Sequence, residues 1–206
     1  LSQALSRYYQ IDRGTLGNKT DILNDYRVVI IADPQEPFSE KDKYILDQYL
    51  MQGGRILWVV NGVRFSDEYL SQSGMTPVIP LELQIDDMLF RYGVRVNATL
   101  VQDLQCLPVP VDVSSDPQQP NWQPMPWTYA PLLLTSHASP ITRNLMQVSS
   151  TMASTIEFVG GEDGIYKEVL LATSSASRIT GTPAQVDLGF DDANPEEYRY
   201  AYVPVA

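Results

Sequence analysis

The stretch DYRVVIIADPQEPFSEKDKYILDQYLMQGGRILWVVNGV, Asp25 to Val63, decides the fold. Two apolar, β-branched runs, Val28–Ala32 and Ile56–Val60, flank a segment with helical periodicity. Ser39 suits an N-cap, and Asp42 stands three residues on, in the capping-box position. Glu40 and Asp42 favour the positive end of the helix dipole. Ile45, Leu46, Tyr49 and Leu50 form one apolar stripe, and Gly53 can take the left-handed conformation that ends a helix. Strands joined by a helical crossover lie parallel and need cover on both faces. The segment therefore predicts an α/β fold, with Val28 and Ile56 on neighbouring parallel strands at the sheet centre and Ile30 and Leu57 buried.

Upstream, Leu1, Leu5, Tyr8 and Tyr9 read as the tail of a helix, followed by a polar connection over Ile11–Leu23. Downstream, Ser66–Pro80 reads as a loop. Leu81, Ile85, Met88, Leu89 and Tyr92 keep a helical period that Gly93 stops. Val94–Val101 alternates as a strand. Pro108–Pro126 is too proline-rich for a helix or a central strand and reads as an irregular excursion. Trp127–Thr135, Val148–Val159, Val169–Thr173 and Ala184–Leu188 are strand candidates, with a turn at Ser139–Leu145. The second half is thus β-rich, with mixed or antiparallel pairing. No internal repeat is present, and residues 1–206 are expected to form a single domain.

The chain carries a net charge of -11 and a pI near 4.4, which repels phosphate backbones, so no nucleic-acid partner is expected. One cysteine, Cys106, and one histidine, His137, leave no internal disulfide and argue against a zinc enzyme. No apolar run approaches the roughly 18 residues of a membrane helix. Both ends read as cut: Leu1 starts inside an amphipathic stretch and YRYAYVPVA ends as an unfinished strand. The expectation is a piece of a larger membrane-anchored parent.

Four segments in order carry a family resemblance: the opening stretch, then PLELQIDDMLFRYGVRVNATLVQDLQC, PMPWTYAPLLLTSHASPITRNL and EVLLATSSASR. Together they are similar to the auxiliary component of bacterial ABC transport systems, and more narrowly to its gliding-motility-associated, GldG-type members. The likeness runs from about Leu5 to Arg178. It departs at Ser139, where related sequences tend to read His-Pro-Ile-Thr and this chain reads His137-Ala138-Ser139-Pro140. The resemblance implies a three-layer parallel-sheet core like that of class I glutamine amidotransferases, of flavodoxin-like type. It also implies a periplasmic, extracytoplasmic location, tethered by transmembrane helices, and permease and ATPase subunits as partners.

The residues themselves speak against amidotransferase chemistry. That reaction needs a cysteine on a tight strand–helix turn, a histidine base and an orienting carboxylate. Cys106 lies in LQCLPV before Pro108 and Pro110, where no helix starts; it reads as a packing residue. His137 lies in a polar loop, and no G-x-S-x-G offers a serine alternative. Asp86-Asp87 read as the solvated face of a helix, and Asp191-Asp192 with Glu196-Glu197 as an acidic loop. Gly160-Gly161 and Gly164 bracket a turn. No Walker A motif is present, so the ATPase is a separate chain, and no cofactor motif is found.

Ligands of open α/β sheets sit beyond the carboxyl ends of the strands. Here that edge carries Asp33, Asn61, Gly62 and Arg64, although Asp33 could equally cap its own loop. The Pro108–Pro126 excursion with Trp122 and Trp127 is the other ligand or partner candidate; the alternative is a flap whose aromatics close the core edge. The expected function is a non-catalytic domain making protein contacts or recognising a ligand within the transporter complex. The alternatives are a module binding a sugar or cell-envelope fragment and, third, a carboxylate-dependent hydrolase.

Overall fold

A computed structural model describes residues 2–17, 19–114, 118–160, 164–188 and 194–205. The chain divides into two compact units, one of Leu1–Pro34 with Phe38–Val59, the other of Gln35–Pro37 with Val60–Ala206.

The first unit opens with a short helix, α1 (Ser2–Leu5), and holds the expected strand–helix–strand motif. Strands β1 (Val29–Ala32) and β2 (Ile56–Val59) pair in parallel, Val29 opposite Ile56 and Ala32 opposite Val59. Helix α2 (Glu40–Met51) carries both halves of the capping box between Ser39 and Asp42. Gly53, at φ 88°, turns the chain out of it. The helix buries Ile45, Leu46 and Tyr49, and the Tyr49 hydroxyl donates to the Tyr26 carbonyl at 3.0 Å.

The strand faces are the reverse of the expectation. Ile30 and Leu57 are 38% and 49% exposed, sharing an outward face with Val28 and Val59. Val29, Ile31, Ile56 and Trp58 are the half-buried set. Side chains alternate along a strand, so a continuous apolar run carries no signal saying which alternate set points in.

The second unit is nearly all antiparallel. Strand β3 (Val63–Arg64) leads to helix α3 (Asp67–Ser73) and strand β4 (Met75–Pro80); helix α4 (Asp86–Arg91) follows. Then come β5 (Val94–Val96), β6 (Thr99–Asp103), β7 (Cys106–Asp112), β8 (Trp122–Thr135), β9 (Gln147–Ser149), β10 (Ile156–Phe158), β11 (Leu171–Ala172), β12 (Ser177–Gly181) and β13 (Ala184–Asp187). β13 and β3 flank β4, β10 pairs with β5, and β12 pairs with β6. β7, β9 and β11 all join the long β8. Val63, Val78, Leu100, Trp127, Met152 and Val186 form the centre of the core. The fold is therefore mixed α/β with a β-rich second half, as read. The expected three-layer parallel sheet is not among the described strands, where β1 and β2 form the parallel pair.

Three further readings are corrected. Ser66–Pro80 is a helix and a strand, not a loop. Ser66 caps α3 by accepting from the Tyr69 N–H at 3.3 Å, and Gly74 ends it at φ 73°. Its single buried residue, Leu70, leaves no apolar period to detect. The helix expected from Leu81 begins only at Asp86, after Gln84 takes φ 58°.

The proline-rich excursion is an ordered hairpin. Pro108 lies opposite Pro126 and Pro110 opposite Pro124, with Val109–Met125 and Val111–Gln123 between them. Prolines on alternate residues of both strands occupy sites whose N–H would point away from the partner strand, so the ladder loses nothing.

Asp103, at the end of β6, is fully buried. Its carboxylate accepts from the Ser174 N–H at 2.7 Å, the Ser174 hydroxyl at 2.6 Å and the Gln105 N–H at 2.8 Å. Beside it Thr173 and Ser177 hold the C-terminal segment: Thr173 Oγ1 accepts from the Val203 N–H at 2.9 Å and the Ser177 hydroxyl donates to the Tyr200 carbonyl at 2.8 Å. Gly161, Glu162, Asp163, Asp191 and Asp192, which the sequence suggested as turn and acidic loop, lie outside the described residues.

Candidate functional site

The second unit contains a cleft of about 520 Å³ lined in part by Asn61-Gly62. One wall is the connection into β3. A second is the Pro80–Asp87 segment with Leu89 and Phe90 of α4, and a third is the end of β5, Arg95-Val96, with the Asn97-Ala98 turn into β6. This volume falls in the range of small-molecule sites, roughly 300–1,000 Å³.

Gly62 sets how closely the walls approach. Its N–H donates to the Ser154 hydroxyl at 3.1 Å, and its carbonyl accepts from the Leu81 N–H at 3.0 Å. A Cβ there would lie 2.2 Å from the Asn97 carbonyl oxygen, so only glycine fits. Asn97 is fixed in turn: its backbone N–H donates to the Thr155 carbonyl at 2.9 Å, and its carboxamide donates to the Thr155 hydroxyl at 3.0 Å. The polar wall is thus held in place by the chain's own hydrogen bonds.

Glu82, Asp86 and Asp87 supply three carboxylates to the lining against one guanidinium, that of Arg95, which stands 5.8 Å over the Phe90 ring. Leu81, Leu83, Ile85 and Leu89 give the apolar part. Such a surface disfavours anions and suits a neutral polar or cationic molecule with an apolar face. Among the described residues the lining holds no cysteine, serine, histidine or lysine. A smaller depression in the first unit, about 390 Å³, is framed by Arg27, Arg55 and the Gly53-Gly54 turn.

Of the residues singled out in the sequence, Asn61 and Gly62 share the cleft. Asp33 belongs to the first unit, takes φ 50° and donates its N–H to the Val59 carbonyl at 2.8 Å, so its backbone extends the β1–β2 pairing. Arg64 is exposed on β3 and donates to the Gln35 carbonyl, outside the cleft lining. Trp127 is 5% exposed in the core and donates from Nε1 to the Asp187 carbonyl at 3.0 Å; Trp122 is 63% exposed on the hairpin.

Asp86 and Asp87, expected on a solvated helix face, are exposed and also line the cleft. Glu82, Arg95 and Asn97 were missed. The available signal was Asn97 followed by a strand, a polar turn at the same kind of position as Asn61-Gly62.

Cys106 sits on β7 opposite Pro131, half-buried. Burial, and then the Asp103 carboxylate, push its thiol above the usual value. That is the reverse of nucleophile activation, which needs a lowered pKa. His137 is exposed in the turn after β8.

Residues 1–206 match the family described as an ABC-type uncharacterized transport system. The chain belongs to this family of ABC-transport auxiliary components. No curated protein matches it. Among solved structures it is similar to the mmIFT52 N-terminal domain, at 18% identity and a TM-score of 0.52, over 85% of this chain and 69% of that one. At that identity the likeness concerns the fold alone. Among the described residues no helix of this auxiliary component is long and apolar enough to cross a membrane.

Proposed function

We propose that this chain is a non-catalytic, extracytoplasmic domain of a membrane-anchored protein of the gliding-motility, GldG type. In this reading it works beside the permease and ATPase subunits of its transport system by contact or ligand recognition. The observation that carries the reading is the family match along residues 1–206. The setting of Cys106 supports it, because a thiol pushed upward on a strand, and not on a strand–helix turn, is unsuited to amide attack. The strand–helix–strand unit of β1, α2 and β2 agrees with an amidotransferase-like ancestry for a fold without that chemistry. Two measurements test the proposal. Purified domain incubated with glutamine should release no ammonia above a blank, and it should co-purify with the permease of its own system. Ammonia release abolished by Cys106→Ser would refute the non-catalytic role. Failure to associate with the permease would refute the role in the complex.

The cleft supports a second reading, as a module for a sugar or other cell-envelope fragment. Carboxylates and carboxamides match hydroxyl groups, and the leucine and phenylalanine side chains match the apolar face of a pyranose ring. Calorimetric titration with neutral oligosaccharides tests it, with Asn61→Ala and Glu82→Ala as controls. Heats that both substitutions leave unchanged would exclude the cleft as the binding site.

A further inference from the structure

The hairpin of β7 and the first half of β8 serves neither the core nor the cleft along its outer face. Two opposed prolines exchange no backbone hydrogen bond, so the 108/126 and 110/124 pairs sit where backbone groups point outward along the strand edges. Asp112 and Trp122 form the next such pair. Prolines fill four of these six outward positions, leaving one N–H on each edge, at the tip. The outward carbonyls remain. Strand addition needs donors and acceptors in alternation along an edge, so another chain cannot extend this sheet from either side of the arm.

The same six side chains share one face, and all six are exposed. Prolines have little conformational freedom to lose on docking. Trp122 adds an indole plane beside them. The Asp112 carboxylate accepts from the Ser114 N–H at 3.0 Å and the Asn121 N–H at 2.8 Å, which hold it below the usual carboxylate range, so it is charged at neutral pH. No lysine or arginine occurs between Arg95 and Arg143. The arm therefore offers negative charge and an aromatic plane on this face and carbonyl acceptors along the edges beside it, with no cation of its own. A guanidinium complements all three, through its fork of N–H donors, its permanent charge and its stacking on indole.

We propose that this proline–tryptophan face docks an arginine-bearing segment of the permease, through side-chain contacts and not through strand pairing. The inference rests on the transport-complex reading above. The test is biolayer interferometry of the domain against detergent-solubilised permease from the same system. Trp122→Ala should weaken capture at least tenfold while its melting temperature stays at the wild-type value, and Trp122→Phe should recover most of the loss. Asp112→Asn, which keeps an acceptor for the turn, should weaken capture several-fold at low salt, with the difference vanishing near 1 M salt. The double variant Pro110→Val/Pro124→Val, which restores outward N–H groups, should gain no affinity. Wild-type-like capture by Trp122→Ala, a large fall in its melting temperature, or tighter capture by the double proline variant would each overturn the proposal while leaving the transport-complex reading intact. A wild-type domain that does not bind the permease at all would overturn both.

Discussion

Replacing Asp103 with alanine should be the most destabilising single polar substitution in the second unit. The carboxylate accepts three hydrogen bonds of 2.6–2.8 Å, and two of the donors, the N–H and hydroxyl of Ser174, are buried. Each buried donor left unpaired costs about 1–3 kcal/mol, and the vacated volume adds to this, so about 4 kcal/mol is expected. The Gln105 N–H contributes less, because Gln105 is exposed and water can replace its acceptor. For a chain of this length 1 kcal/mol shifts the melting temperature by roughly 2–4 °C, which makes the expected fall about 8–16 °C. Asp103→Asn separates charge from geometry. Its carbonyl can keep the Gln105 N–H and Ser174 hydroxyl, but its NH₂ then faces the Ser174 N–H, donor against donor, at about 2 kcal/mol. Ser174→Ala should cost about 1 kcal/mol. Thermal melts and urea titrations of the three variants should give the order Asp103→Ala, Asp103→Asn, Ser174→Ala. An alanine variant melting within about 2 °C of wild type, or an asparagine variant as damaged as the alanine one, would refute the assignment of Asp103 as the acceptor that ties β6 to the Thr173–Ser177 turn.

Gly62→Ala should cost about 2–3 kcal/mol, because its methyl meets a backbone carbonyl that cannot rotate away; an unchanged melt would mean the cleft walls yield freely. Ile45→Ala should cost about 2–5 kcal/mol and Ile30→Ala less than about 1 kcal/mol, since the first is fully buried and the second 38% exposed; similar urea midpoints would contradict the strand facing. The Cys106 thiol, held above its usual 9.0, should react with iodoacetamide more slowly at pH 7.5 than a free cysteine peptide. Because the folded state favours the neutral thiol, its contribution is complete below the unfolded pKa and is lost as pH rises through the folded one. Alkylation at or above the peptide rate would refute the burial.

The parts of the fold visible in the sequence are those whose signals are local. Ser39, Asp42 and Gly53 mark α2 because caps act within a few residues of a helix end. The parallel pairing of β1 with β2 follows the usual preference of a strand–helix–strand crossover, a preference that β3, α3 and the antiparallel β4 do not share. What stayed hidden depends on distant partners. Ile30 and Ile31 are chemically alike, and only what covers each face distinguishes them. The Pro108–Pro126 segment looked irregular because proline is depleted from strands on average. Its alternation, Pro108 and Pro110 against Pro124 and Pro126, shows its meaning only once the strands are set opposite each other.

The cleft illustrates the same division. Asn61-Gly62 stands out in the sequence because a polar turn after an apolar strand is where an α/β sheet presents its ligands; in the structure the pair lines a cleft of the second unit, which is built mainly of antiparallel pairs. Its other walls come from residues about 20 to 37 positions further on, brought in by the Gly62–Asn97 approach and the Asn97–Thr155 bonds. Nothing in the local sequence of Asp86-Asp87 separates a solvated helix face from a cleft rim, since both demand exposed carboxylates. The distinction lies in the backbone of Gly62, where the absence of a side chain lets the two walls approach. That makes Gly62, and not any charged residue, the position whose substitution most directly reports whether the cleft is a formed site.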